Sequence, residues 1–251
     1  MNIQTRQEEE YAFPYHYVSR YEHGFCQTFH DSWGINYVST IEYMLLRLRG
    51  LKWQSVIDVG CGDGRMSREL ALHFPGREIT GIDYSNRAIS LARAMNADLP
   101  SLNFERRDIV AGNITATAQH DAAILMEVLE HIPPQDAPAF VSALRRQLTP
   151  GGHLLLTVPH VNKPVEYKHY RHFSATSLRH ALEPDFEVLE VVHFERRGLH
   201  QRLLHFLLGN RYFILSHRGM LNRIYSYYRR RLFACRHENE CQRLFVLARA
   251  R

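Results

Sequence analysis

The sequence predicts an α/β fold, a mostly parallel sheet with helices on both faces. From residue 54 onward, short apolar runs alternate with segments of helical spacing, which is the pattern of a parallel sheet. The first of these runs leads into closely spaced glycines, as at a strand-to-helix turn that binds a ligand. A length of 251 residues suits one such domain with additions.

The elements follow in chain order. Ser85 and Ser174 are predicted N-caps, because a serine hydroxyl can accept a hydrogen bond from the first helical turn. A Pro150-Gly151-Gly152 stop is expected to close the third predicted helix. The predicted strands are Ser55–Val59, Glu78–Asp83, Asn103–Arg106, Ala122–Met126, His153–Val158, Phe186–Phe194 and Gln242–Ala248, and the predicted helices are Arg65–Phe74, Asn86–Met95, about Ala137–Leu148 and Ser174–Leu182.

The flanking segments are predicted to be helical additions. Trp33–Leu51 has one apolar stripe at helical spacing, so residues 1–53 are assigned to a lid or cap. Residues 54–196 form the predicted ligand-binding core. Residues 197–241 are a helical insertion before the final strand, which lies within 242–251.

Charge is unevenly distributed along the chain. Residues 196–251 contain 13 arginines, no lysine and two acids, a net of +11, whereas the whole chain carries +5. Such asymmetry indicates contact with an anionic partner: nucleic acid, a phosphosugar or a membrane surface. We expect the insertion to cover the ligand pocket and to hold an anionic acceptor through its guanidinium groups.

Other sequence features favour a reducing compartment. Four scattered cysteines do not form a disulfide framework or a zinc pattern. The N-terminus lacks the pattern of a signal peptide, and no apolar run is long enough to span a membrane. We therefore expect a cytoplasmic protein, with peripheral membrane contact through 197–241 as a further option.

The strongest motif is the segment 56–64, VIDVGCGDG. Alternate glycines let the backbone turn tightly and lie against a ligand. Asp83 ends the next predicted strand and can accept hydrogen bonds from both ribose hydroxyls of an adenosine. Arg65 occupies the place of the third glycine in a dinucleotide-binding loop. The acids Asp58 and Asp63 suit a ligand with an ammonium and a sulfonium better than one with phosphates.

DVGCGDG resembles the first motif of the class I S-adenosylmethionine (SAM)-dependent methyltransferases. GIDYS at 81–85, ERRDI at 105–109, DAAILMEVLEHIPP at 121–134 and LTPGGHLLLTVP at 148–159 resemble the later motifs in order. The resemblance implies a Rossmann-like, seven-stranded sheet and SAM as cofactor. It assigns Gly60, Gly62, Gly64 and Glu127 to the methionine portion, Asp83 to the ribose and Asp108 to the adenine, with Asp58, Tyr84 and Ile109 as further cofactor contacts.

Histidines near the expected acceptor position are the candidate catalytic residues. Methyl transfer to oxygen, which we favour, can use a base, and histidine serves this role near neutral pH. His131 follows the fourth predicted strand, and His160, His169 and His172 follow the fifth. Each is a candidate base or substrate contact.

Glu127-x-x-Glu130-His131 also resembles the metal motif of small-RNA 3′-end 2′-O-methyltransferases. The same EVLEH segment occurs in methyltransferases that resemble the ubiquinone O-methyltransferases, and His169 and His172 do not closely match the RNA enzymes' second motif. We therefore expect no metal, and activity that survives EDTA.

The leading hypothesis is a methyltransferase of a small or glycan- or lipid-linked anionic acceptor. A metal-dependent RNA 2′-O-methyltransferase and a non-catalytic SAM-binding module are the alternatives. A cofactor-binding loop that keeps its glycines and Asp83 argues against the last.

Overall fold

One sheet organises the molecule. The computed structural model describes residues 33–110 and 119–251. The strands are β1 (Ser55–Val59), β2 (Glu78–Asp83), β3 (Leu102–Arg106), β4 (His120–Met126), β5 (Leu148–Pro159), β6 (Phe186–Phe194) and β7 (Arg243–Ala250). Their order is β3-β2-β1-β4-β5-β7-β6, with β7 antiparallel to both its neighbours and every other pair parallel. The predicted seven-stranded, mostly parallel fold is confirmed.

Helices cover both faces of this sheet. They are α1 (Gly34–Arg49), α2 (Arg65–His73), α3 (Asn86–Met95), α4 (Ala137–Arg146), α5 (Ala175–Leu182), α6 (Leu199–Gly209) and α7 (Arg218–Arg231). Ser85 caps α3 by accepting a hydrogen bond from Ala88 N, and Ser174 caps α5 by accepting one from Ser177 N. Both predicted N-caps are confirmed.

The central strands are buried on both faces, which explains their continuous apolar runs. Val56 of β1 packs with α1, α2 and α7, whereas the next residue, Ile57, packs with α4 and α5. Successive side chains of a strand point to opposite faces, so one short run supplies two separate cores.

The third predicted helix ends earlier than expected, at Arg146, and the predicted Pro-Gly-Gly stop is wrong. β5 begins at Leu148 and continues through Pro150-Gly151-Gly152. Leu148 pairs with His120, and the register shifts before Ala122. Glycine and proline within a strand often mark a bulge. The same residues also end helices, and only the pairing of β5 with β4 shows that here they lie within a strand.

The N-terminal helix belongs to the core. Ile41, Met44 and Leu48 of α1 are fully buried in the cluster that covers one face of the sheet. Residues 1–32, most of the predicted lid, lie outside the described residues.

The predicted insertion contains α6 and α7, and α7 packs on α1. Arg229 forms an ion pair with Glu42 at 3.0 Å and donates a hydrogen bond to Ser39 O at 3.2 Å. Tyr228 and Asn36 form a further hydrogen bond across the two helices. The insertion is therefore tied to the helix that covers the sheet.

Cys61, Cys235 and Cys241 are free thiols. In the parts of the chain that the structure describes, none of the helices combines the length and the hydropathy that crossing a bilayer requires.

Candidate active site

A cavity of about 680 Å³ opens at the carboxyl ends of the parallel strands, where ligands bind in sheets of this kind. It has two halves. We call the part lined by the predicted cofactor residues the cofactor half, which includes Val59, Gly60, Ile82, Asp83, Tyr84, Arg107, Asp108, Ile109 and Val110. We call the part lined by the candidate histidines the acceptor half, which includes Glu127, Glu130, His131, Lys163, Glu166, Lys168, His169 and Arg243.

The glycine loop brings backbone to the wall of the cofactor half. Gly60 has a φ of +71°, and a Cβ there would lie 2.5 Å from Val128 Cγ2. Val128 itself lines the cavity after β4. A larger residue at position 60 would therefore displace the β4 end as well as strain the turn.

Asp83 is held in place by main-chain donors. Its two carboxylate oxygens accept hydrogen bonds from Gly62 N at 3.1 Å and Ser85 N at 2.9 Å. Its side chain is 5% exposed and lines the cavity. A carboxylate oxygen can accept more than one hydrogen bond, so this orientation is compatible with a pair of ribose hydroxyls.

Three of the predicted cofactor residues do not line the cavity. Asp58 accepts a hydrogen bond from Ser67 Oγ at 2.7 Å and anchors α2 to β1. Gly64 faces Asn96 and Phe104, where a Cβ would lie within 2.8 Å of side-chain atoms. Gly62 contributes the backbone donor to Asp83. These three residues stabilise the glycine loop and the elements beside it. That they also contact the cofactor directly stays a prediction.

The remaining predicted cofactor positions, Tyr84, Asp108, Ile109 and Glu127, all line the cavity. Asp108 accepts a hydrogen bond from Val110 N at 2.9 Å, which fixes the turn after β3. Ile109 is buried, and Tyr84 is exposed at the rim. Polar edges and apolar walls of this kind fit an adenosine with a charged tail, so the residues present fit SAM.

A buried ion-pair network borders the acceptor half. Arg243, 4% exposed, pairs with Glu127 and lies 3.5 Å from Glu195. Glu127 and Glu195 are the two non-glycine residues with positive φ among those described, at 57° and 63°. Uncommon backbone conformations of this type concentrate at functional sites.

Sequence reasoning missed Arg243, which stands in a plain β run. Its partner Glu127 is 116 positions away along the chain, so no local spacing signals the pair.

Two of the four candidate histidines line the cavity, namely His131 and His169. His131 Nδ1 lies 3.1 Å from Lys168 O, and the rings of His131 and His169 are 4.7 Å apart between centroids. His172 does not line the cavity but supports His169, with His172 Nε2 at 2.8 Å from His169 Nδ1.

His160 is separate from this group. Its Nε2 lies 2.9 Å from Glu238 Oε1, and its Nδ1 accepts a hydrogen bond from Asn162 N at 3.0 Å. It joins the β5 end to the segment before β7 and does not line the cavity. His160 therefore connects two segments of the chain rather than forming part of the cavity wall.

Burial controls the ionisation of the acceptor half. Burial, and then the neighbouring His131, lowers the pKa of His169 to about 3. Burial also lowers the pKa of His172. Glu130 is fully buried, and burial together with the charge of Glu127 raises its pKa well above the usual range. Both imidazoles are therefore neutral near pH 7.

The arginines of the insertion lie elsewhere. No residue of 197–241 is among those that line the described cavity. The helix α7 packs on α1 through Arg229, whereas Tyr37 of α1 and its N-cap residue Trp33 line the cavity. The predicted cover over the acceptor is not seen in this part of the chain.

Comparisons with known proteins agree with this geometry. A family model described as "Methyltransferase domain" matches residues 57–154. A ubiquinone biosynthesis O-methyltransferase of Alkalilimnicola ehrlichii is 32% identical over 136 residues, 53% of this chain and 51% of that protein. One of Psychrobacter cryohalolentis is 35% identical over 111 residues, 43% of this chain and 42% of that protein. The chain thus matches about half the length of these relatives.

Solved structures share the fold. The N-methyltransferase NodS of Bradyrhizobium japonicum, solved with S-adenosylhomocysteine, superposes with a TM-score of 0.56 at 18% identity, covering 83% of this chain and 84% of that one. A putative sarcosine dimethylglycine methyltransferase of Galdieria sulphuraria superposes with a TM-score of 0.58 at 15% identity, covering 85% and 86%. Residues 57–154 match a methyltransferase domain, and the strand order and the superpositions agree with the fold of the class I SAM-dependent methyltransferases.

Proposed function

We propose that this protein binds SAM and transfers a methyl group to an oxygen of a small or glycan- or lipid-linked acceptor that carries an anionic group. The observation that carries the proposal is the orientation of Asp83, which two backbone N–H groups fix at the wall of a cavity that also contains Gly60 and Asp108. The O-methyltransferase names of the matched relatives support oxygen as the acceptor atom.

The cofactor half supplies binding and orientation. Asp83 would accept hydrogen bonds from the ribose hydroxyls, and Asp108 would face the adenine amino group, with Ile109 against the ring. Gly60 leaves room for the methionine portion beside the β4 end. The acids Asp83 and Glu127 also favour a ligand of positive charge.

Catalysis then depends on placing the acceptor. SAM supplies a methyl group that its sulfonium already activates. Alignment of the acceptor oxygen with that carbon contributes a large part of the rate. The oxygen forms the new bond to carbon, sulfur retains the electrons of the broken bond, and the hydroxyl proton must leave. His131 and His169 are the cavity-lining groups that can assist this loss.

We place the anionic group of the acceptor outside the cavity. Six carboxyl side chains and four basic ones line the cavity, so it offers no strongly positive pocket. A neutral hydroxyl fits this environment better than a phosphate. The arginine-rich insertion remains the region of opposite charge to an anion.

Calorimetry with S-adenosylhomocysteine and NAD tests the cofactor assignment. We expect S-adenosylhomocysteine to bind in the low micromolar range or tighter, and NAD not to bind. Asp83→Ala should weaken binding by about 1.5–3 kcal/mol through loss of charge-assisted hydrogen bonds. Asp98→Ala, which removes an exposed acid paired with Arg68, is the matched control and should bind normally. Heat from NAD alone would refute the proposal.

A second function has its own support: docking to an anionic membrane surface. Leu199, Leu203 and Phe206 are all more than half exposed and occur at i, i+4 and i+7 along α6, so they share one face of the helix. Exposed large apolar side chains continue beyond the helix at Tyr212 and Phe213. Arg196, Arg197, Arg202 and Arg211 are close to these residues along the chain, and residues 196–237 contain no acid. Apolar side chains beside cations favour a lipid interface over RNA.

Sedimentation with vesicles tests this docking. We expect binding to vesicles of phosphatidylcholine that contain phosphatidylglycerol, and little binding to phosphatidylcholine alone. Leu203→Ser with Phe206→Ser should abolish it, and Arg230→Ala with Arg231→Ala should make it weaker and less sensitive to salt. Leu72→Ser, an exposed leucine on α2, is the control. RNA binding without vesicle binding would support the RNA alternative instead.

A further inference from the structure

A shallow groove lies on the outer face of α7. Its volume is about 420 Å³, and none of its lining residues belongs to the active-site cavity. Six side chains line the groove, all of them from this one helix: Asn222, Arg223, Ser226, Tyr227, Arg230 and Arg231. The opposite face of α7 holds Leu221, Tyr225 and Tyr228, which are buried in the core cluster. The helix therefore has one buried face and, on its other side, a groove in which every side chain carries a hydrogen-bond donor.

The three groove arginines have no anionic partner in the part of the chain that the structure describes. No acid lines the groove, and none of the three guanidinium groups forms an ion pair or a hydrogen bond with the described residues. Arg229, the neighbour of Arg230, is different. It pairs with Glu42, and its guanidinium carbon lies 4.8 Å from the centroid of the Phe233 ring. Arg229 thus holds the helix in place, whereas the groove arginines have their donors available for a ligand.

The helix dipole does not account for all three groove arginines. Cations in the last turn of a helix are stabilised by the negative carboxyl end, and this applies to Arg230 and Arg231. Arg223 stands near the middle of α7, and the dipole effect is confined to the terminal turns. Its position on the same face as the other two therefore indicates a shared ligand.

The spacing of the arginines selects the kind of anion. Arg223 and Arg230 are seven residues apart, which is nearly two full turns, or about 10.5 Å along the helix axis. Arg231 stands beside Arg230, so the groove has cations at both of its ends. A single phosphate is too short to contact both ends, whereas two linked phosphoryl groups are longer. Guanidinium groups bind phosphate oxygens in bidentate fashion.

The middle of the groove is fixed by a contact with α6. His200 Nδ1 and Tyr227 OH form a hydrogen bond, and the two rings are stacked with centroids 6.0 Å apart. Ser226 stands beside Tyr227, between the two arginine ends, and its hydroxyl can donate a hydrogen bond to a phosphate oxygen. The groove therefore combines an oriented aromatic wall and a neutral donor with charge at each end.

We propose that this groove binds a diphosphate group, with Arg223 at one end and Arg230 and Arg231 at the other. The inference goes beyond methyl transfer, because the groove shares no residue with the cavity and its ligand contacts do not involve SAM. The same chemistry occurs in a soluble diphosphate ester, such as a nucleoside diphosphate, and in a lipid-linked diphosphate. The experiment distinguishes these two sources.

Calorimetry with inorganic pyrophosphate on the full-length protein tests the groove. We expect one pyrophosphate to bind per chain with a Kd below about 100 μM at low salt. Inorganic phosphate should bind at least about 10-fold more weakly, because it reaches only one end of the groove. Citrate has a charge similar to that of pyrophosphate but a different shape, and it should also bind at least about 10-fold more weakly.

Substitutions locate the binding. Arg223→Gln and Arg230→Gln should each weaken pyrophosphate binding at least about 10-fold. Arg223→Gln should change the binding of phosphate by less than about 3-fold, because the other end of the groove is intact. Arg218→Gln removes the same charge from the first turn of α7, outside the groove. It is the control and should bind pyrophosphate within about 3-fold of the wild type.

Thermal melting and the cofactor show whether the variants are folded. The three substituted arginines are exposed and outside the cavity, so the variants should melt with the wild type and bind S-adenosylhomocysteine as it does. If Arg230→Gln does not fold, Arg231→Gln serves in its place.

Vesicles and a soluble ester distinguish the two sources of the diphosphate. Sedimentation with phosphatidylcholine vesicles that contain diacylglycerol diphosphate, reversed by pyrophosphate and lost in Arg223→Gln, would identify a lipid-linked diphosphate. Binding of uridine diphosphate as tight as that of pyrophosphate, without such sedimentation, would identify a soluble ester.

Three results would overturn the diphosphate site: no binding of pyrophosphate by the wild type up to about 1 mM, equal affinities for pyrophosphate, phosphate and citrate, or unchanged binding by the folded Arg223→Gln and Arg230→Gln. Binding of single-stranded RNA without binding of pyrophosphate, weakened in Arg230→Gln, would assign these arginines to RNA and would overturn the site as well.

Discussion

The two halves of the cavity are built in different ways. The cofactor half uses short contiguous segments, in which backbone N–H groups of Gly62 and Ser85 orient the carboxylate of Asp83. The acceptor half uses side chains from distant segments, such as Arg243 with Glu127 and His169 with His131. A site made from main chain and adjacent residues is recognisable in a sequence, whereas one made from long-range side-chain contacts is not.

The largest effect is expected from Arg243→Met in the acceptor half. The change removes the cation from the buried Glu195 and from the partly buried Glu127, and breaking a buried ion pair costs about 3–5 kcal/mol. Urea denaturation should therefore show a free energy of unfolding lower by that amount. Arg249→Met removes a half-exposed arginine on the same strand, paired with Glu187, and should cost about 0–1 kcal/mol. If the two substitutions lowered the free energy of unfolding equally, the ion pairs of Arg243 would not be important for the stability of the acceptor half.

Gly60→Ala tests whether the cofactor half depends on its backbone. The alanine would adopt a positive φ and its Cβ would contact Val128, so we expect a loss of about 2–4 kcal/mol in unfolding free energy. Gly76→Ala has a similar φ, +80°, with no atom within 4 Å of the Cβ, and should cost about 1 kcal/mol. If Val128→Ala restores part of the stability lost in Gly60→Ala, the contact between the new Cβ and Val128 causes the additional loss. Equal losses for Gly60→Ala and Gly76→Ala would show that this contact has no effect.

The smallest expected effect is the change of stability with pH. It tests whether burial lowers the pKa of histidines outside the cavity, as it does for His169 inside it. Burial lowers the pKa of His120, His153 and His193. These groups bind protons more readily in the unfolded chain, where the pKa is near 6.5, so stability should fall as the pH drops below that value. The melting temperature should be constant above about pH 6.5 and lower by a few degrees at about pH 5.5. His120→Gln should weaken this dependence, and a higher melting temperature in acid would contradict it.

The sequence by itself determined the sheet, the N-caps and the position of Asp83. The strands, the caps and this turn are encoded in short segments of the chain, such as the apolar run of β1, the Ser85 cap and the turn at Gly60. The choice of SAM over a dinucleotide also followed from a single loop, with Arg65 and its acidic neighbours.

Tertiary structure alone decided the rest. Of the four candidate histidines, it brought His131 and His169 to the cavity and gave His160 a partner in Glu238. It packed α7 on α1, so that Arg229 pairs with Glu42 and does not face the cavity. Side chains tens of positions apart become neighbours only when the sheet is assembled, and burial then sets their charge. A sequence pattern contains neither the distances nor the burial that decide these outcomes.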